Sequence, residues 1–110
     1  MLKRNERTIE KYINSGANMR LFTTVAKGMV RSISEVVSGA DTDRVLKALH
    51  VIELVCSHAE NNMFRDFPKL SGEYCDVFYG CTADKPRNAV DAMMIERTKG
   101  LTDELFRKAD

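Results

Sequence analysis

The sequence predicts an all-α fold: a small helical bundle built around a long antiparallel helical hairpin, with short helices on its flanks. Two segments, residues about 18–38 and 42–63, carry apolar residues at the three- or four-residue spacing of a helix that is buried on one side. The stretch between them is so short that the chain must reverse direction there. A chain of 110 residues has the length of one domain, so we expect residues 1–110 to fold as a single helical domain.

The first arm of the hairpin is amphipathic, because polar residues fill the positions between its apolar ones. Its apolar residues are Met19, Phe22, Val25, Ala26, Met29, Ile33, Val36 and Val37. Gly39 tolerates the left-handed backbone that commonly ends a helix. Asp41 or Thr42 then offers a side-chain oxygen to cap the next helix.

The second arm is apolar on more than one side. Its main stripe consists of Val45, Ala48, Leu49, Ile52, Val55, Cys56, Ala59 and Met63. Leu46, Val51 and Leu54 lie off that stripe, which is typical of a helix that is central in its fold or also covered by a partner. Since the remaining helices are short, a second copy that completes a bundle is one way to cover both arms.

The flanking segments predict shorter helices. Residues 4–14 form one, and the stretch 14–18 around Gly16 ends it. Pro68 ends regular structure after the hairpin, and residues 72–79 form either a short helix capped by Ser71 or, by composition, a strand. The lack of a second strand to pair with it favours the helix. A last helix begins at a cap on Asp84 and runs to Gly100, and a further turn or two follows.

Composition predicts a cytoplasmic protein that does not enter a membrane. The longest apolar runs are far shorter than the roughly 20 residues that span a bilayer. The first residues are polar and lack the apolar stretch of a secretory signal. Three cysteines are an odd number without a closely spaced pair, which fits free thiols in a reducing compartment.

Enzymatic chemistry finds little support in the motifs, so we expect no enzyme, no cofactor and no catalytic residue. A metal-binding helical protein is a minor alternative. His50 and Glu53 have a spacing that metal sites in bundles use, but no matching motif appears on another helix. The other candidate ligands, Cys56, His58, Cys75 and Cys81, do not have the spacing of common zinc sites.

The aromatic residues are concentrated in one segment. Five of the eight fall between residues 64 and 79. Large aromatic side chains can anchor a protein interface, and they can equally close the open end of the hairpin as part of the core. If they anchor a partner, we predict that the contact residues are Phe67, Tyr74, Asp76 and Tyr79 of this segment, together with Leu54 of the apolar second arm.

Nucleic acid is the alternative partner. Residues 1–38 carry seven Lys and Arg against three Glu. Residues 7–30 can be laid over a helix-turn-helix with the turn near Gly16. A dimeric DNA-binding transcriptional regulator of this kind would use Arg4, Arg7, Lys11, Asn18, Arg20 and Lys27. The net charge of +1 is low for a dedicated nucleic-acid binder, and Tyr12 stands where the motif prefers a small apolar residue.

The favoured interpretation is a non-enzymatic protein–protein interaction module, a small regulator, adaptor or inhibitor that acts by occupying the surface of another protein. Burial of apolar area would supply its affinity, and charged residues would set the register and the association rate.

Overall fold

The computed structural model describes residues 1–79 and 85–109, with side chains as far as Glu104. It contains three long helices, α1 (Ile9–Ile33), α2 (Gly39–Asp66) and α3 (Ala89–Ala109). Two 3-10 helices, Arg4–Glu6 and Gly72–Asp76, lie before α1 and between α2 and α3. None of the described residues lies in a strand, so the predicted all-α bundle around a hairpin is confirmed.

The hairpin reverses direction through residues 34–38. The Ser38 hydroxyl accepts a hydrogen bond from the backbone N–H of Asp41 at 3.1 Å and so caps α2. Ser38 therefore takes the capping role predicted for Asp41 or Thr42, and Gly39 opens α2 instead of ending α1. As a result, α1 ends before the predicted boundary at 38, while α2 extends beyond 42–63 at both ends.

The predicted break at residues 14–18 is wrong, because α1 runs through it. Ile13, Gly16, Ala17 and Arg20 are all buried on one face of the helix. The intrinsic cost of a glycine inside a helix is only about 1 kcal/mol, which this burial outweighs. Gly16 also lies so close to Val77 that no side chain fits between them. The glycine therefore permits close packing and does not end the helix.

The last helix differs from its prediction in the same way. It starts at Ala89, where the Asn88 side chain accepts a hydrogen bond from the Asp91 backbone N–H at 2.8 Å. It continues through Gly100, so the predicted stop and restart form one helix of 21 residues, longer than the short flanking helices expected. The predicted cap Asp84 lies outside the described residues. Residues 72–79 contain a 3-10 helix, not a strand, and it ends at Asp76.

The hydrophobic core lies at one end of the hairpin. Its buried members are Tyr12, Ile13, Ala17, Cys56, Met63, Val77, Phe78, Val90 and Met94. The molecule measures 47 × 30 × 27 Å, with a radius of gyration of 15.6 Å. A compact chain of this length has a radius of about 13 Å. The far end of the hairpin, which projects beyond the core, contributes to this excess length.

None of the described helices combines the length and the hydropathy needed to cross a membrane.

Candidate docking surface on the helical hairpin

The third helix covers only the first half of α1. Two ion pairs fix its position: Arg20 Nη2 lies 2.7 Å from Asp91 Oδ1, and Arg97 Nη2 lies 2.9 Å from Glu10 Oε1. Since α3 starts near Asp91, it lies antiparallel to α1 and pairs with it between Glu10 and Arg20. Residues 21–33 of α1 therefore extend past α3, with α2 beside them and Phe78 and Tyr79 near Thr23 and Lys27.

A groove lies between α1 and α2 in this projecting half of the hairpin, with a volume of about 490 Å³. Nine of its ten lining residues are apolar. They are Phe22, Ala26, Met29, Val30 and Ile33 of α1 and Val45, Ala48, Leu49 and Ile52 of α2, with Ser32 as the polar exception. A cavity of this size falls within the range of pockets that bind other molecules. We call it the hairpin groove.

Apolar side chains also stand around the hairpin groove. Met29 is 63% exposed and Val51 is 59% exposed, and Val25 and Val55 are about half exposed. Val25 and Met29 follow Phe22 at helical spacing on α1, and Val51 and Val55 follow Ala48 in the same way on α2. The groove and these residues therefore form one continuous apolar face. Contiguous exposed apolar surface of this kind marks sites of interaction.

The charged residues beside this face are balanced in sign. Residues 21–55 contain four basic residues, Lys27, Arg31, Arg44 and Lys47, and four acidic ones, Glu35, Asp41, Asp43 and Glu53. Arg44 and Asp41 already pair with each other at 2.7 Å on the surface of α2. The projecting half of the hairpin thus carries no net charge and presents no field of one sign.

The aromatic segment contributes to the core. Phe67 packs edge-to-face on Tyr12 with 6.2 Å between ring centroids, and Tyr74 is half-buried against the core. The Tyr79 hydroxyl hydrogen bonds to Ser57 Oγ at 2.7 Å, and burial raises the pKa of this tyrosine. Asp76 is buried. Of the two roles left open by the sequence, these contacts favour closure of the hairpin end over a partner interface.

Asp76 is also tied to the start of α3. Its Oδ2 accepts a hydrogen bond from Asn88 Nδ2 at 2.6 Å, and its Oδ1 lies 3.2 Å from Arg87 Nη2. Leu54 differs from the aromatic set, since it is 53% exposed on α2. It does not line the hairpin groove.

Two of the basic residues near the amino terminus are engaged by one carboxylate. Asp66 accepts hydrogen bonds from Arg7 Nε at 2.7 Å and from the Tyr12 hydroxyl at 2.5 Å, and Arg4 lies 3.5 Å away. The Arg7 bond, followed by the Tyr12 bond, lowers the pKa of Asp66 to about 2. This cluster ties the segment before α1 to the end of α2.

Arg20 is the most deeply buried of the basic residues, at 1% exposure. Its guanidinium pairs with Asp91 and donates hydrogen bonds to the backbone carbonyls of Asp76, Val77 and Tyr79. Burial raises the pKa of Asp91, but the bonds from the Arg87 backbone N–H and from the Arg20 and Arg87 side chains outweigh it, and the pKa falls to about 2. Arg20 is therefore a structural residue that joins α1 to α3.

The helix-turn-helix predicted over residues 7–30 is wrong, since those residues contain one uninterrupted helix from Ile9 onward. Arg4, Arg7 and Arg20 face carboxylates, whereas Lys11, Asn18 and Lys27 are exposed along α1. The six residues proposed for nucleic-acid contact thus do not form one accessible basic surface.

No metal site forms among the described residues, where no three His, Cys, Asp and Glu side chains gather. His50 and His58 are exposed on α2, Cys56 is buried, and Cys75 is an exposed free thiol. Cys81 lies outside the described residues.

No family model, curated protein or solved structure matches this chain.

The sequence pattern located part of the apolar face. It identified the second arm as apolar on more than one side, and Val51, which lies off the main stripe of that arm, is one of the exposed apolar residues. It assigned Phe22 and Met29 to the buried stripe of α1, although both are exposed. What leaves them uncovered is the starting point of α3, because it begins beside Arg20 and runs toward Glu10, away from residues 21–33.

Proposed function

We propose that the protein is a non-enzymatic interaction module, a small regulator, adaptor or inhibitor that acts by placing its hairpin groove and the surrounding apolar face against another protein. The observation that carries the proposal is the groove of about 490 Å³, lined by nine apolar residues, at the end of the hairpin that α3 does not reach. A second copy of the chain is included among the partners that this face would accept.

The composition of the face supports a protein partner over nucleic acid. Transient interfaces are no more apolar than the rest of a protein surface, whereas permanent interfaces resemble a domain core cut in half. The apolar lining of the groove is of the second kind. A nucleic-acid surface would instead need clustered Lys and Arg, and the projecting half of the hairpin carries equal numbers of basic and acidic residues.

Exposure of the apolar face to water also has a cost in free energy. Burying a side chain of the size of Val, Leu, Met or Phe stabilises by about 1.5–3 kcal/mol relative to full exposure. Phe22, Val25, Met29, Val51 and Val55 are each about half exposed, so each forgoes on the order of 1 kcal/mol. A partner that covers them would recover several kcal/mol.

Affinity capture with paired variants tests the proposal. Met29→Asp places a charge at the groove, and Leu54→Asp places the same charge at an equally exposed apolar position of the hairpin that does not line it. Each bait is incubated with nuclease-treated lysate of the native host. The bound proteins are then quantified by mass spectrometry. We expect the wild-type and Leu54→Asp baits to retain the same protein, which Met29→Asp loses.

The sequence-based choice of Leu54 as a contact residue is tested by the same pair. Loss of the captured protein with Leu54→Asp and its retention with Met29→Asp would move the docking surface away from the groove. Equal capture by all three baits would refute the proposal.

A further inference from the structure

We propose that the occupant of the hairpin groove is a second copy of this chain, packed about a two-fold axis so that α1 and α2 of the two copies form a four-helix bundle. This inference rests on the proposed function, because it names the partner of the same surface. Three properties of the apolar face favour a second copy over an unrelated protein: its area, its charge balance and its boundaries.

The area of the face reaches the lower end of what a specific dimer interface needs. Seven side chains contribute most of it, each about half exposed: Phe22, Val25, Met29, Ile33, Val45, Val51 and Val55. A fully exposed side chain of this size offers roughly 100 Å² of apolar area, so the seven present about 350 Å² per copy. Since about 65% of a homodimer interface is apolar, the full contact would cover about 550 Å² per copy, or about 1,100 Å² in total. This total is close to the lower limit for specific interfaces.

The charge balance allows the face to meet its own copy. In a two-fold interface each residue faces the same surface of the other copy, so a patch of one sign would repel itself. Residues 21–55 carry four basic and four acidic side chains, and none of the residues that line the groove is charged. No repulsion of this kind therefore opposes self-association.

The face has polar boundaries on both helices. Asn18 lies one helical turn before Phe22 on α1, and Asn62 lies two turns after Val55 on α2. Beyond Asn18, α1 turns its buried face to α3. These residues limit the apolar contact on the side of the core. A two-fold contact uses the same face of both copies, so it closes on itself and yields a dimer, not a filament.

The shape of the face provides both a projection and a recess. Met29 is the most exposed of the large apolar side chains that line the groove. A two-fold arrangement would place Met29 of each copy in the groove of the other. Methionine suits this role, because its unbranched side chain adapts to irregular apolar recesses.

Sedimentation velocity of the full chain tests the inference, at concentrations from about 1 µM to about 200 µM, which span the range of moderate dissociation constants. We expect the wild type to reach twice the monomer mass of 12.5 kDa. Met29→Asp should raise the dissociation constant about 100-fold or more, since the charge enters the interface twice. Leu54→Asp should sediment as the wild type does. Phe22→Lys, at another exposed residue that lines the groove, provides a second disruption, and circular dichroism establishes that each variant is folded.

The outcomes separate this inference from the proposed function. A wild type that remains monomeric at every concentration overturns the second copy as occupant, and so does a dimer that folded Met29→Asp and Phe22→Lys leave intact. If the monomeric wild type still captures a different protein from lysate in a Met29-dependent manner, the docking surface stands and only its occupant changes. If it captures none, both fail.

Discussion

Substitution of Gly16 by alanine should destabilise the protein, although alanine is the better helix former. A Cβ atom at this position of α1 would lie 2.5 Å from Val77 Cγ1 and 2.6 Å from the Val77 carbonyl oxygen. Rotation of the valine side chain can relieve the first contact but not the second, because the second is with the backbone. The segment around Val77 would have to move away from α1.

The magnitude follows from two opposing effects. Replacing glycine by alanine inside a helix stabilises it by about 1 kcal/mol. Overpacking of a close core contact costs about 1–3 kcal/mol, and a backbone contact belongs at the upper end of that range. We therefore expect Gly16→Ala to lose about 1–2 kcal/mol of unfolding free energy. Gly28→Ala on the same helix meets nothing within 4 Å and should gain about 0.5–1 kcal/mol.

The assay is urea denaturation followed by circular dichroism at 222 nm, with all proteins at one concentration so that any self-association affects them equally. The two variants should shift the midpoint in opposite directions. A thermal scan should separate them by several degrees, at about 4–8 °C per kcal/mol for a small domain. A Gly16→Ala variant as stable as Gly28→Ala would show that α1 and Val77 are not in close contact.

Three further predictions concern the buried charges. Arg20→Met should lower the unfolding free energy by about 3 kcal/mol in urea denaturation, since it leaves the Asp91 carboxylate buried without its closest partner; exposed Arg31→Met should change it by less than about 0.5 kcal/mol. The pKa values of Asp66 and Asp91 are both lowered to about 2, so their contribution to stability is present above about pH 4 and lost as the pH falls toward 2. The urea midpoint of the wild type should therefore fall between about pH 4 and about pH 2. It should fall less steeply with pH in Asp66→Asn, and as steeply as in the wild type in the exposed control Asp43→Asn. We expect no binding of duplex DNA even at about 50 mM salt, because the Arg20 guanidinium is buried in its ion pair and is not available at the surface. A fluorescence-anisotropy signal at that salt concentration that disappears by about 200 mM would support the nucleic-acid alternative.

The architecture could be predicted from local patterns, because the spacing of the apolar residues indicates both helices of the hairpin. The second arm was located within three residues at each end, whereas α1 begins at Ile9, nine residues before the predicted start of the first arm. Capping was predicted less well, since Ser38, Asp41 and Thr42 all offer an oxygen and the sequence does not rank them. The structure chooses Ser38, and this choice sets where α2 begins.

Two helix breaks were predicted where none exists, each at a glycine. The intrinsic penalty of glycine is about 1 kcal/mol, so tertiary packing decides whether a helix continues. At Gly16 the deciding contact is with Val77, which is distant in sequence. At Gly100 the neighbouring turns continue through Thr98, whose hydroxyl donates to the Met94 carbonyl at 2.8 Å. The contact with Val77 cannot be read from a local window of sequence.

The buried charges show the same limit. From the sequence, Arg20 was grouped with the basic residues of the first third of the chain as a possible nucleic-acid contact. Its pairing with Asp91 joins two positions 71 residues apart. Asp66 likewise receives Arg7 across 59 residues. Residues 1–38 have an excess of basic side chains, and residues 39–84 carry eight acidic side chains against four basic ones. This opposite bias is a signal for internal pairing, but it does not identify the partners.

Oxidation of the methionines by dilute peroxide tests the docking surface most directly, because the chain supplies its own controls. Met1 is 98% exposed, Met63 and Met94 are fully buried, and Met29 is 63% exposed in the single chain. Mass spectrometry of the peptides gives the rate at each site over time. If the hairpin groove is covered by a second copy, Met29 should oxidise several-fold more slowly than Met1 at high protein concentration and approach the Met1 rate on dilution. A Met29 that oxidises almost as fast as Met1 at every concentration, and equally fast in native lysate, would contradict a covered groove.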